Sequence, residues 1–124
     1  MFDDESPIYQ QIADRIRDDV VAGTLRPGDQ VMSTTQYATF HRINPATAGK
    51  AFQQLVDEGV LEKRRGIGMF VTEAAPEMLR SQRRSTFAER LVDPLVAEAR
   101  RLGMDPKEVL DIVRTRLTVP GGDS

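Results

Sequence analysis

Cysteine is absent, and histidine occurs once, at His41. Without thiols there is no disulfide framework, thiol nucleophile or thiolate metal site, and one imidazole alone does not make a metal centre, so the sequence implies neither a metal nor a cofactor. Long apolar runs are missing too. No stretch could cross a bilayer, and Met1 to Glu5 is acidic where a signal peptide would be basic, so the expectation is a cytoplasmic protein with no membrane partner. Nor is there a cationic excess: 17 Lys and Arg face 19 Asp and Glu, for a formal net charge of −2. Nucleic-acid binders draw much of their affinity from phosphate neutralisation, and the total alone does not suggest one. The distribution matters more than the sum. Lys63, Arg64 and Arg65 form the densest cationic run, whereas Asp14, Asp18 and Asp19 fall on another segment, which permits a local basic face.

The 124 residues leave room for one small domain with an appendage, and exclude two catalytic domains. With 40% apolar and 29% charged residues, the composition is that of a globular chain, neither disordered nor membrane-embedded.

Ser6-Pro7 reads as an N-cap followed by proline at the first helical position, where a missing N–H costs nothing. Ile8, Ile12, Ile16 and Val20, with Tyr9 and Ala13 beside them, predict an amphipathic helix ending near Gly23. Leu25 to Asp29 is a proline-glycine turn. Ser33-Thr34-Thr35-Gln36 has the form of a capping box and predicts a short helix with Tyr37, Ala38 and Phe40 inward. After His41 to Ile43, Asn44-Pro45 starts another helix, with Ala48, Phe52, Leu55 and Val56 on one face and Gly59 as its stop. Two short helices so closely joined predict a helix-turn-helix. Val60 to Lys63 and Met69 to Thr72 read as strands joined by Arg64-Arg65-Gly66-Ile67-Gly68, a glycine-bent hairpin or wing.

Ala74-Ala75-Pro76 reads as a connector, with a helix able to start after the proline. Phe87, Leu91, Val92, Leu95, Val96, Ala99 and Leu102 then form an apolar stripe interrupted by Asp93-Pro94, where a kink or restart is expected. Asp105-Pro106-Lys107-Glu108 offers a capping box for a last helix carrying Val109, Leu110, Val113 and Leu117, and Pro120 to Ser124 should fray. The expected fold is thus mainly α with a small β-wing: a winged helix-turn-helix over 1–73, then a short α-helical dimerisation segment over 74–124. Two helices alone cannot bury that stripe, and closed twofold pairing is the commonest remedy. Phe87, Leu91, Leu95, Ala99, Leu102, Val109 and Val113 are the dimer-interface candidates.

Several stretches in this order and spacing resemble the GntR family of bacterial transcription regulators. They are Pro7-Ile8-Tyr9-Gln10-Gln11-Ile12, Gly23 to Asp29, Asn44-Pro45-Ala46-Thr47, Leu55 to Leu61 and Arg65 to Val71. Leu102 to Val109 resembles the turn between the two dimerisation helices of its YtrA subfamily. The resemblance implies a dimeric regulator, usually a repressor, that binds a near-palindromic operator, often of a transport operon, and is often tuned by a small effector. The subfamily lacks the larger ligand-binding domains of other members, so an effector would sit among the C-terminal helices. The family's usual arginines are replaced here by Thr35, Pro45 and Gly49, leaving Arg42, Lys50 and the wing cations as the positive groups.

In a helix-turn-helix the N-terminal residues of the second helix reach base edges, which points to Asn44, Pro45, Ala46, Thr47 and Lys50, with Thr35 and Arg42 alongside. Lysine can donate to guanine, and threonine can donate, accept or touch a thymine methyl. Lys63, Arg64, Arg65 and Gly66 on the wing suit phosphates and a narrow minor groove. The bland alternative is a pair of capping residues and a solvated charged edge. Gly66-x-Gly68 is a poor match to a nucleotide-binding loop, having neither a third glycine nor a following helix. His41 has no evident catalytic partner and reads as a turn residue, while Met69 and Phe70 read as packing. The partners expected are therefore double-stranded DNA, a second copy of the chain and a small effector. A winged-helix adaptor that binds protein is the competing class, since fold alone does not fix function, and an enzyme is a distant third.

Overall fold

A computed structural model describes residues 6–119 of the chain. The expectations placed on Met1 to Glu5 and on Pro120 to Ser124 lie outside the described residues. The chain forms two compact units, one running to Arg83 and the other beginning at Arg84.

The first unit begins with α1 (Ile8–Ala22), which buries Ile12, Ala13, Ile16 and Val20 along one face. Ser6 does not cap it. Pro7 occupies the cap position and offers no side-chain acceptor, and the Gln11 amide donates to the Ser6 carbonyl. Ile8 is another departure, since it lies in the first turn and is 46% exposed instead of continuing the buried stripe. Gly23 ends the helix with φ 87°, a left-handed conformation that a side chain would strain.

A two-residue strand, β1 (Gln30–Val31), follows the turn, in which Asp29 accepts from the Arg26 N–H at 2.8 Å. The sequence reading did not anticipate β1. Next come α2 (Thr34–His41) and α3 (Pro45–Asp57), then β2 (Leu61–Arg64) and β3 (Gly68–Val71). The strands form one antiparallel sheet in the order β1-β3-β2, with Gln30 opposite Phe70 and Arg64 opposite Gly68. The wing is therefore a hairpin with a third strand attached to its inner edge.

Phe52 and Leu55 of α3, Val60, Leu61 and Val71 of the sheet region, and the buried face of α1 make one apolar core. Removing so fully buried a side chain as Phe52 costs about 3 to 5 kcal/mol, because the cavity left behind adds to the lost transfer energy. The core also takes in Ala75 and Leu79 of α4 (Ala75–Ser85), beyond the expected division at 73/74. Pro76 is no obstacle there, since proline is tolerated in a first helical turn. Arg80 donates to the Val21 carbonyl at 3.0 Å and Arg83 pairs with Asp18, both from α4 to α1.

The second unit contains a π-helical turn (Ala88–Val92), α5 (Asp93–Arg101) and α6 (Pro106–Thr118). Pro94 has no N–H and its ring would crowd the carbonyl one turn back. The chain answers by widening, so that the Asp93 N–H donates to the Ala88 carbonyl, and the irregularity expected at Asp93-Pro94 takes this form. Asp105 caps α6 by accepting from the Lys107 N–H at 3.0 Å, an earlier contact than the Glu108 pairing a capping box requires. Among the described residues no helix is long and apolar enough to cross a membrane.

Candidate nucleic-acid interface

The site is built on the α2-turn-α3 segment. Ser33 accepts from the Gln36 N–H at 3.0 Å while the Gln36 side chain accepts from the Ser33 N–H at 3.1 Å, completing the capping box. Tyr37 and Ala38 are buried as expected, and the Tyr37 ring meets Phe52 edge-on at 5.4 Å, which locks α2 onto α3. Phe40 departs from expectation. It is 70% exposed, because so short a helix presents only Tyr37 and Ala38 to the core. Burial pushes the Tyr37 hydroxyl above its ordinary ionisation range, so it stays a neutral phenol.

Arg42 makes the turn in a left-handed conformation, φ 57°, with its N–H on the Ala38 and Thr39 carbonyls. Asn44 then caps α3 through a 2.7 Å bond from the Ala46 N–H, and Pro45 follows at the first helical position. One face of α3 is buried through Ala48, Ala51, Phe52 and Leu55. Its start lies outward, with Asn44, Pro45 and Ala46 exposed and Thr47 half-buried, and Lys50 is exposed on the following turn. Thr35 and Arg42 are exposed as well, on α2 and the turn. Gly49 is half-buried where a side chain would begin 3.7 Å from the Thr34 methyl.

The cations are not equivalent. Lys50 holds its ammonium 4.1 Å from the centre of the Tyr9 ring, a contact that steers the side chain toward α1. Arg64 is folded back over Phe70 at 4.1 Å and bonded to Glu62 at 2.9 Å, so the hairpin itself already occupies this guanidinium. Lys63 and Arg65 are exposed. Gly66 lies at the bend with φ 76°. His41, expected as a turn residue, is instead the last residue of α2, and it stacks at a tilt on Tyr37, 4.2 Å between ring centres. Phe70 is buried and Met69 half-buried, in keeping with packing.

Two residues the sequence reading passed over belong to this surface. Gln30 of β1 donates from its side-chain amide to the Ile67 carbonyl at 3.0 Å, and Ile67 itself stands 64% exposed at the wing tip. No periodicity could flag Gln30, since its strand is two residues long.

In the second unit, Phe87, Leu91, Leu95 and Leu102 are exposed, and Ala99, Val109 and Val113 are half-buried. None of its described residues is buried. An apolar cavity of about 300 Å³ opens between α5 and α6, lined among others by Val96, Ala99, Met104 and Val109. Among the described residues no cluster of three or more His, Cys, Asp or Glu side chains could hold a metal.

Three helices, a helix-turn-helix whose second helix begins exposed, and a glycine-bent hairpin define a winged-helix DNA-binding unit. Residues 8–71 match the family model described as "Bacterial regulatory proteins, gntR family". The chain is 30% identical to the HTH-type transcriptional regulator YhcF of Bacillus subtilis over 92% of its own length and 93% of that protein. It is 29% identical to the HTH-type transcriptional repressor YtrA of the same organism, covering 88% of this chain and 83% of that one. Among solved structures, a GntR family transcriptional regulator from Listeria monocytogenes superposes with a TM-score of 0.72 at 30% identity, covering 92% of this chain and 98% of that one. The chain belongs to the GntR family. It is a DNA-binding transcription regulator of bacterial type and not an enzyme.

Proposed function

We propose that two copies of this chain bind one near-palindromic operator, each inserting the start of α3 into a major groove, and that the bound dimer represses the genes behind it. One observation carries the reading. Helix α3 buries Ala48, Ala51, Phe52 and Leu55 yet leaves Asn44, Pro45, Ala46 and Lys50 exposed, ahead of a hairpin bearing exposed Lys63 and Arg65. Asn44, Ala46, Thr47 and Lys50 would read base edges, with Thr35, Arg42 and Pro45 at the groove margin. Lys63, Arg65 and Gly66 would meet phosphates, and Arg64 would join them only by leaving Glu62.

Pairing is supported by the second unit, where Phe87, Leu91, Leu95 and Leu102 are exposed and none of the described residues is buried. A helical pair with so little interior needs a cover, and a second copy supplies a matching apolar face through Phe87, Leu91, Leu95, Ala99, Leu102, Val109 and Val113. The cavity between α5 and α6 is of a size to accept a small apolar effector. The family resemblance supports a transport operon as the regulated unit and the cytoplasm as the place of action.

Fluorescence anisotropy with a labelled duplex from the chain's own promoter, against a shuffled duplex of the same composition, tests the reading. The promoter should bind about a thousandfold more tightly at moderate salt. Equal affinity for the two duplexes would overturn specific regulation, and a dimer that binds neither would point to the adaptor reading.

A further inference from the structure

The wing tip is built with more care than a phosphate contact requires. Its peptide is held at both ends: the Ile67 N–H donates to the Arg64 carbonyl at 2.9 Å, and the Ile67 carbonyl accepts from the Gln30 side chain at 3.0 Å. Gly68 makes this possible. A Cβ there would collide with the Gln30 amide nitrogen, so the Gln30 side chain runs through space that any other residue would fill. With the peptide tied at both ends, the side chain left projecting is an isoleucine, 64% exposed between two glycines and two residues after Arg65. Isoleucine is stiff at its first torsion, so little further entropy is lost when it is pressed against a surface.

An exposed apolar side chain alone means little. Here it stands at the tip of the element that faces DNA, with its backbone fixed by a side chain from a different strand. Proteins that enter the minor groove use apolar wedges at such points, and the A·T groove lacks the guanine amino group that would obstruct one. We propose that Ile67 is the part of the wing that enters the minor groove and confers a preference for A·T pairs there, and that Gln30 is the positioning residue that aims it. This rests on the operator-binding reading above.

The test compares operators selected from a random duplex pool by wild type, Ile67→Ala, Ile67→Val and Gln30→Ala, with affinities measured on the wild-type winner. Ile67→Ala is expected to weaken binding about tenfold, of the order of one base-pair mismatch, and to flatten the preference outside the bases read by α3. Ile67→Val, which keeps the branched wedge, should retain both. Gln30→Ala should flatten the same positions while the bases read by α3 stay selected, an outcome that general unfolding cannot produce. Circular dichroism confirms that each variant is folded. If wild type selects an operator and Ile67→Ala selects the same one with equal affinity, the wedge assignment is overturned. If Gln30→Ala leaves the wing-contacted positions sharp, its positioning role is overturned. Failure of the wild type to select any operator would instead sink the regulator reading beneath both.

Discussion

Arg17 of α1 holds Glu58, the residue that closes α3, through two parallel bonds, Nε to Oε1 at 3.0 Å and a terminal nitrogen to Oε2 at 2.7 Å. The same guanidinium bonds Asp14 at 2.7 Å, so one side chain fastens the end of α3 to α1. Partial burial by itself pushes the Glu58 carboxyl up, but the Arg17 and Gln54 hydrogen bonds and the Arg17 charge outweigh it and hold the carboxyl below its ordinary value.

A carboxyl lowered on folding stabilises the native state at pH values above its unfolded pKa, and that contribution is lost as pH falls through the folded value. Glu58→Gln should therefore lower stability by about 1 kcal/mol or less near neutral pH, the pair being partly exposed. The gap from wild type should close on acidification below the ordinary carboxylate value near 4.5. Urea midpoints measured across that range check it, and a gap that widens in acid would show that the bridge is not what Glu58 contributes.

Asn44 has two candidate duties that substitution can separate. Asn44→Ala removes the 2.7 Å cap and should cost about 1 kcal/mol of stability. Asn44→Ser keeps a capping oxygen and should unfold near the wild-type temperature. Operator affinity that falls in Asn44→Ser while its thermal midpoint holds assigns base reading to the side chain; unchanged affinity confines it to capping.

Gly49 predicts a gain. A methyl there would meet the Thr34 methyl at 3.7 Å, an ordinary contact, and the helix interior prefers alanine. Gly49→Ala should raise stability by about 0.5 to 1 kcal/mol, read from thermal or urea unfolding. Destabilisation would mean that α2 and α3 lie closer than the structure has them.

Much of this fold could be read in advance because its signals are local. The Ser33-Gln36 box, the Asn44-Pro45 start and the Gly23 stop each depend on residues within one turn of chain, and each helix begins or ends there. What escaped depends on distant partners. Strand β1 exists because Gln30 and Val31 find Phe70 and Met69, and two residues carry no period. Phe40 and Ile8 fit apolar patterns that outrun the surface available to cover them. The run Lys63-Arg64-Arg65 showed where charge gathers, yet only three dimensions reveal Arg64 turned back on Glu62 and Phe70.

That inequality among cations gives a prediction at the interface. Arg65→Ala should weaken binding to all sequences alike and reduce the salt slope by about one, whereas Lys50→Ala should chiefly erode discrimination between operator and shuffled DNA. Arg64→Ala should alter the salt slope less than Arg65→Ala. Anisotropy titrations over a salt series separate the three, and reversed behaviour of Lys50 and Arg65 would overturn their assigned roles.

The apolar face of the second unit makes its own prediction. Leu95→Glu, at a residue already 42% exposed, should leave the reader folded and yield monomers in sedimentation equilibrium, with operator affinity falling accordingly. A dimer that survives the charge would place the contact elsewhere.

The most direct test is selection of bound duplexes from a random pool by the wild-type chain. The account predicts a recovered palindrome whose half-sites are centred about 34 Å apart, or a multiple of that. Recovery of an asymmetric single site, or no enrichment over the starting pool, would contradict it.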